Sequence, residues 1–280
     1  MIEFEGLPQL REPVLVAAFE GWNDAADAAT GVVDHLLDVF DGQLFAEVDP
    51  EDYYDFQVNR PHVSGGEHSP REITWPGTRL YTVCPPEGPD LVVVRGIEPS
   101  MRWRSFVSEL VGVAFELDVD HAVTLGALLA DTPHTRPVPV TGSSSDPELR
   151  TRLDLEPSRY EGPTGIVGVF TESLAHAGIS TVSIWAAVPH YVSQAPCPKA
   201  TLALLQSLED AVPIVVPHGD LPEEAVAWQR SVDELASDDD EVAEYVRTLE
   251  EARDTAELPE ASGDAIAREF ERYLRRRDPD

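Results

Sequence analysis

Short apolar runs that alternate with helical patterns constrain this 280-residue chain more than any other feature of its sequence. Four of these runs are unbroken, which is typical of strands buried on both faces of a sheet; they span 13–21, 90–96, 121–130 and 180–188. Between them, apolar side chains recur at helical spacing in 23–40, 100–117, 165–178 and 197–210. The alternation predicts an α/β fold with a mostly parallel sheet covered by helices on both faces, ending in a strand at 212–217.

The composition of the chain changes near residue 220. Residues 220–280 carry 20 acidic side chains and 8 arginines, a net charge of −12, whereas the first 219 residues carry −20. The segment has no strand pattern, and its spacing predicts three helices, at 221–236, 241–253 and 263–276. We therefore divide the chain into an α/β core domain, 1–219, and an acidic helical C-terminal extension, 220–280.

The net charge restricts the partners of the protein. With 52 acidic against 20 basic residues, the chain carries a formal charge of −32. Such a field repels phosphate backbones and anionic lipids, which argues against nucleic acid and membrane partners and favours basic protein surfaces. The sequence has no signal peptide pattern and no apolar stretch of transmembrane length. Two cysteines, Cys84 and Cys197, form no disulfide framework, so we expect a cytoplasmic protein.

Sequence motifs for common cofactors and catalytic nucleophiles are missing. The sequence contains no GxGxxG, no GxxxxGK[ST], no GxSxG and no HExxH. Its single lysine, Lys199, follows a proline, which excludes a phosphate-binding P-loop. We therefore expect no cofactor and no metal, and we favour a protein without catalytic activity while leaving that point open.

The segment "EGWNDAAD" (20–27) joins the first buried strand to a helix, at the edge where α/β proteins bind ligands. Asn23 is the expected N-cap of this helix, and Asp24 and Asp27 suit the positive end of its dipole. The two aspartates could instead bind a metal or act as a base. Helix capping explains all three side chains without a ligand and is the favoured interpretation.

A Gly-rich loop, "RPHVSGGEHSPREITWPG" (60–77), carries Arg71 and three possible metal ligands, His62, Glu67 and His68. Its spacing enforces no coordination geometry, so a metal site is disfavoured. A loop that wraps a neighbouring subunit or covers a pocket is the favoured interpretation.

The segment after the strand at 121–130 contains a possible anion site. His134 and Arg136 could hold an anion, and Ser143 lies close to a predicted helix N-terminus, where backbone N–H groups bind anions. Turn and cap roles for the serine are the simpler interpretation.

The segment after the strand at 180–188, "PHYVSQAPCPKA", is punctuated by prolines. Cys197 as a nucleophile and Lys199 as a Schiff-base lysine are both disfavoured, because a rigid strand-to-helix connection explains the stretch. His190 and Tyr191, at the end of a buried strand, are the residues that could face a ligand.

Six blocks of this sequence recur together and in this order in one known family. They are "EGWNDAADAA", "ITWPG", "VVVRGIEPSMRWRSF", "LGALLADTPHTRPVPVTGSS", "YEGPTGIVGVF" and "WAAVPHYVSQAPCPKATLALL". Between about residues 13 and 210, the chain thus resembles the proteasome assembly chaperone 2 family in its bacterial and archaeal form. The resemblance implies a three-layer α/β/α sandwich similar to the nucleoside phosphorylase and hydrolase-like fold, and a homo-oligomer with a trimer favoured. Eukaryotic relatives bind proteasome α-subunits, and the family has no agreed catalytic residues to transfer.

Two hypotheses about function follow. The favoured one is a non-enzymatic interaction protein, chaperone-like, that acts on proteasome-type or other oligomeric partners. The alternative is a small-molecule binder or phosphorylase-like or hydrolase-like enzyme with an anion-friendly pocket at the carboxyl ends of the strands. The candidate residues of such a pocket are Asn23, Arg71, His134, Arg136, Ser143, His190 and Tyr191.

Overall fold

A computed structural model of the chain describes residues 2–4, 6–66 and 69–257. The strands are β1 (Ile2–Phe4), β2 (Val14–Glu20), β3 (Gln43–Val48), β4 (His62–Gly66), β5 (Ser69–Thr74), β6 (Thr78–Val83), β7 (Leu91–Ile97), β8 (His121–Ala130), β9 (Val140–Ser144) and β10 (Ser180–Pro189). The α-helices are α1 (Ala28–Val39), α2 (Trp103–Glu116), α3 (Pro147–Leu153), α4 (Ile166–His176), α5 (Pro198–Ala211), α6 (Leu221–Ser237) and α7 (Asp240–Glu257).

Eight of the strands form one mixed sheet in the order β1-β3-β6-β7-β2-β8-β10-β9. The four central strands, β7, β2, β8 and β10, run parallel and are the four apolar runs of the sequence. Antiparallel pairing adds β6, β3 and β1 on one flank and β9 on the other. Because the central strands are parallel, they all end at the same edge of the sheet, which we call the carboxyl edge.

Alternation of side chains along the strands divides the core into two apolar layers. Along β2, Val16 packs with α1 and α5 on one face, whereas Leu15 and Ala17 pack with α2 and α4 on the other. Helices therefore cover both faces of the sheet, and the predicted three-layer α/β/α sandwich is confirmed.

The acidic extension contributes two helices to the described part of the chain, α6 and α7, close to the predicted positions. Helix α6 packs against α5 and buries Leu221, Ala225 and Val232, which thickens the layer formed by α1 and α5. The predicted helix at 263–276 lies outside the described residues. The division of the chain at residue 220 stays a prediction.

Two segments differ from simple strand patterns. The expected strand at 212–217 is wrong: this segment lies outside the sheet, because Pro213 and Pro217 have no N–H to donate to a strand ladder. Strands β4 and β5 form a separate two-stranded hairpin within the Gly-rich loop, and all their described residues are exposed.

Candidate functional site

Four of the seven candidate pocket residues come together at the carboxyl edge. His134 and Arg136 follow β8, and His190 and Tyr191 follow β10; these two strands are parallel neighbours, so the two segments meet. Helices α6 and α7 lie over both segments and supply most of their polar partners.

The ring of His134 lies at the centre of this group, with its side chain only 1% exposed. Its Nδ1 lies 2.7 Å from the Tyr191 hydroxyl, which also accepts the backbone N–H of His134 at 2.8 Å. Its Nε2 lies 2.9 Å from Oδ1 of Asp233 on α6. One arrangement satisfies every group: Nε2–H donates to Asp233, and the Tyr191 hydroxyl donates to Nδ1. Burial lowers the pKa of His134 from its ordinary value of 6.5, although Asp233 opposes this effect.

Arg136 and Thr135 bind carboxylates, and those carboxylates belong to the protein itself. Arg136 makes a bidentate ion pair with Asp254 of α7, with Nε–Oδ1 and Nη2–Oδ2 distances of 2.8 Å each. Nη1 of Arg136 also donates to Glu250 at 3.3 Å, and the Thr135 hydroxyl donates to the same Glu250 carboxylate. The predicted anion-binding loop is therefore occupied by two acidic side chains one helical turn apart on α7.

Lys199 joins the loop after β8 to helix α6 by hydrogen bonds. Its ammonium group donates to the carbonyl oxygens of His134 at 2.6 Å and Arg136 at 2.8 Å, and to Oε1 of Gln229 on α6 at 2.7 Å. All three ammonium protons are used, and burial lowers the pKa of Lys199. Nearby Cys197 is buried, and burial raises the pKa of its thiol, the opposite of what an activated nucleophile requires. Both side chains therefore suit a structural role.

An aromatic cluster completes the contact between α7 and the carboxyl edge. The Tyr245 ring of α7 lies edge-on to His190 and Tyr191, with centroid distances of 5.6 and 6.0 Å. The Tyr245 hydroxyl donates to Asp131 at 3.2 Å, and Nδ1 of His190 lies 3.2 Å from the same carboxylate. Edge-to-face packing of this kind stabilises the contact by roughly 0.5–1.5 kcal/mol per ring pair, in addition to the effect of burying apolar surface.

Asn23 is buried between β2 and the start of α4. Its Nδ2 donates to Oε1 of Glu98 at 2.9 Å, and the same oxygen accepts the backbone N–H of Ile166 at 2.9 Å. Its Oδ1 lies against Gly165, where a Cβ would come within 2.1 Å of it. Asn23 is therefore not the N-cap of α1, and that expectation is wrong. The N-cap position is occupied by Asp27, because a short 3-10 turn at Ala25–Asp27 delays the start of the helix. The capping hydrogen bond comes from Asp24, whose carboxylate accepts the Ala29 N–H at 2.7 Å.

Ser143 and Arg71 lie away from the carboxyl-edge group. Ser143 is on β9 opposite Ser183, and the helix α3 that follows is capped by Asp146 rather than by a serine. It lines an open groove of about 1610 Å³, which we call the aromatic groove; its apolar wall is formed by Trp22, Leu128, Leu129, Tyr160 and Trp185. Arg71 is on the exposed hairpin.

The described residues hold no group of three His, Cys, Asp or Glu side chains placed to bind a metal ion. Glu67 and His68, two of the possible ligands in the Gly-rich loop, lie outside the described residues. Within the described part of the chain, none of the helices combines the length and the apolar character needed to cross a membrane.

Sequence reasoning missed the partners that engage the candidate residues, above all Asp233, Gln229, Tyr245, Glu250 and Asp254. Their only signal in the sequence is the four-residue spacing of Glu250 and Asp254, of which the second lies just past the predicted helix at 241–253. In a segment so rich in acidic residues, that spacing does not single them out.

The fold and this edge define the protein as a three-layer α/β/α sandwich whose carboxyl edge is covered by two C-terminal helices. The family model described as the PAC2 family matches residues 18–236, and the chain belongs to this family. The identification made from the sequence blocks is thereby confirmed.

Solved structures agree with this assignment. A PAC2 family protein from Streptomyces avermitilis is 62% identical, with a TM-score of 0.79 over 84% of this chain and 99% of that one. A proteasome-assembly chaperone homologue from Mycobacterium tuberculosis is 51% identical, with a TM-score of 0.77 over 83% of this chain and 99% of that one. A third structure, a Mycobacterium tuberculosis protein of unknown function, is 30% identical, with a TM-score of 0.82 over 91% of each chain. Among curated proteins, none matches the chain.

Proposed function

We propose that the protein is a non-enzymatic assembly factor that acts in the cytoplasm on proteasome-type subunits through a homo-oligomeric form. The observation that carries this proposal is the similarity of the chain to a proteasome-assembly chaperone homologue. The two are 51% identical, and the match covers 99% of the homologue. Membership of the PAC2 family also supports a chaperone-like role. The net charge of −32 favours partner surfaces that are basic.

The chemistry of the carboxyl edge supports an interaction protein over a catalyst. Two titratable groups of this edge have internal partners: His134 is held between Tyr191 and Asp233, and Lys199 has three acceptors. A catalytic base or nucleophile needs to be within reach of a substrate, and both groups face the inside of the protein instead.

The exposed hairpin supports a homo-oligomer. We call residues 57–77 the arm. A lone two-stranded hairpin is marginally stable in water, yet Val63 and Ile73, which are cross-strand partners, are 45% and 57% exposed. Arg60 and Arg71 balance Glu67 and Glu72, so the arm is formally neutral within a chain of −32. A neutral arm with exposed apolar side chains can approach another acidic copy without the repulsion that the rest of the surface would cause.

The aromatic groove is the surface of the second copy that suits the arm. Trp22 and Tyr160 are each 67% exposed on its wall, so that two large aromatic side chains lie mostly in solvent. The arm leaves the body beside β6, whereas the groove is lined by residues of β8, β10 and β9, with β7 and β2 between β6 and β8 in the sheet. We take this contact to be head-to-tail, each arm entering the groove of the next copy, and such contacts form a ring when the rotation between copies closes. The favoured ring is a trimer.

One experiment tests the oligomer with single-site variants. In light scattering after gel filtration, the wild-type protein is expected to have the mass of a trimer of 30.7 kDa chains. Val63→Asp in the arm and Tyr160→Asp in the groove are each expected to give monomers, whereas Ser64→Asp, on the opposite face of the arm, leaves the oligomer intact. Because each variant keeps one half of the contact, a mixture of the two is expected to form a 1:1 dimer and nothing larger. A monomeric wild type, or variants that remain oligomeric, would contradict the arm-in-groove assembly.

A second experiment tests the partner. Purified proteasome α- and β-subunits from the same cell are mixed with the full-length protein, and the appearance of assembled particles is followed on native gels. We expect a stoichiometric complex with free α-subunits and faster assembly, both weakened by salt because the partner surface is basic. Absence of a complex and an unchanged assembly rate would refute the proposed function, whatever the oligomeric state.

A further inference from the structure

We propose that His134 makes the docking of α6 and α7 on the carboxyl edge sensitive to pH, so that the two helices loosen under mildly acidic conditions. The inference concerns the extension alone and does not depend on the identity of any partner.

The geometry around His134 accommodates only the neutral ring. Tyr191 has one hydroxyl proton, and that oxygen already accepts the backbone N–H of His134 at 2.8 Å. Nδ1, at 2.7 Å, is the acceptor that this hydroxyl proton requires. A second proton on Nδ1 would turn the acceptor into a donor and leave the hydroxyl proton of the half-buried Tyr191 without its partner.

Charged side chains from several packed elements surround His134 and affect the protonation of its ring. Lys199 of α5 places its ammonium 2.6 Å from the carbonyl oxygen of His134, and this positive charge disfavours a second one on the ring. Asp233 of α6 favours the protonated ring, but its side chain is 49% exposed, so water weakens its effect. The other charged or titratable groups in this neighbourhood are Asp131, Arg136, His190, Tyr191, Tyr245, Glu250 and Asp254.

Release of the helices removes the constraint on the ring. Asp233 belongs to α6, and the residues next to His134, Thr135 and Arg136, make the polar contacts with α7. Helix α7 buries little apolar surface: of its described side chains, only Val246 is a buried hydrophobic residue. Its position therefore depends mainly on the loop that His134 anchors, and loss of that anchor is sufficient to loosen it.

The sign of the effect follows from proton uptake. Burial lowers the pKa of His134 in the docked state, and the released ring regains its ordinary value of 6.5. Release therefore binds a proton. Docking is unaffected well above pH 6.5 and weakens as the pH falls from there towards the lowered pKa of the docked state.

Hydrogen exchange of the full-length protein tests the proposal, with rates corrected for the intrinsic effect of pH. Between about pH 7.5 and pH 5.5, linkage to one proton predicts that backbone amides of α6 and α7 exchange faster, by up to about tenfold, while those of α2 do not change. In His134→Gln, whose amide can still donate to Asp233 and accept from Tyr191, the ratio for α6 and α7 is expected to fall to about one. His176→Gln, which removes the exposed imidazole of α4, is the matched control and is expected to keep the wild-type ratio.

Three results would overturn the proposal: a wild-type ratio near one, a His134→Gln variant that keeps the pH dependence, or a His134 ring that titrates at or above its ordinary pKa. The last is measured by NMR of the histidine ring protons in the wild-type protein. This measurement tests the proposal even if the His134→Gln variant does not fold.

Discussion

Asp24 offers the sharpest test of the energetics of this fold. Its side chain is buried at the start of α1, in a residue that is 5% exposed. Oδ1 accepts the N–H of Ala29 at 2.7 Å, and Oδ2 accepts the hydroxyl and the N–H of Thr30. Asp24→Asn keeps the acceptor for Ala29 and removes the ionisable group, so it separates the capping role of this residue from its charge.

The direction of the effect depends on which influence on the carboxyl is larger. Burial raises the pKa of Asp24 from 3.8 to about 6, while the hydrogen bonds from Thr30 and Ala29 lower it and are outweighed. A raised pKa means that the folded state binds the proton more tightly than the unfolded chain does. The resulting stabilisation is complete below pH 3.8 and is lost as the pH rises through about 6. The two pKa values differ by an amount equivalent to about 3 kcal/mol, and about 1.4 kcal/mol of it falls between about pH 5 and pH 7.5.

The assay is urea denaturation of wild type and Asp24→Asn across that pH range, which stays above the isoelectric point of about 4.4. The free energy of unfolding of the wild type, relative to the variant, is expected to fall by about 1.4 kcal/mol between about pH 5 and pH 7.5. Asp27→Asn, an exposed neighbour on the same turn, serves as the control and is expected to change stability by less than about 0.5 kcal/mol throughout. A wild type that gains relative stability as the pH rises would refute the reasoning, because the capping hydrogen bonds would then outweigh burial.

Four further substitutions probe the packing and the extension. Lys199→Met leaves the carbonyls of His134 and Arg136 without their donor, and urea denaturation is expected to show a loss of about 2–4 kcal/mol. Gly165→Ala places a Cβ 2.1 Å from the Asn23 amide oxygen and is expected to lower the free energy of unfolding by about 1–3 kcal/mol. Gly112→Ala, in α2 where a Cβ meets no atom within 4 Å, is expected to raise it by about 0.5–1 kcal/mol. Arg136→Ala removes the bidentate pair with Asp254 and is expected to speed hydrogen exchange in α7 but not in α2; equal exchange in α7 would show that the pair contributes nothing to its position.

Local sequence patterns predicted only some features of the candidate site. Strand ends were predictable from the apolar runs. That the segments after β8 and β10 meet was not, because it depends on the strand order that places these two strands side by side. The sequence also showed that Lys199 is the single lysine and that prolines shape its surroundings. It did not show that the ammonium of Lys199 fixes the loop that carries His134, because that contact joins residues from three separate segments.

By itself the sequence determined the class of fold, the parallel centre of the sheet, the helical nature of the extension and the family. All of these depend on periodicity or on blocks within a few tens of residues, where side-chain spacing acts directly on backbone conformation. Only the tertiary structure decided what the acidic extension does: it brings Asp233 to His134 across 99 positions and Asp254 to Arg136 across 118. Such pairs leave no periodic trace, because many carboxylates in this segment could serve equally well as partners. Which of them does so depends on how α6 packs on α5 and where α7 then lies along the carboxyl edge.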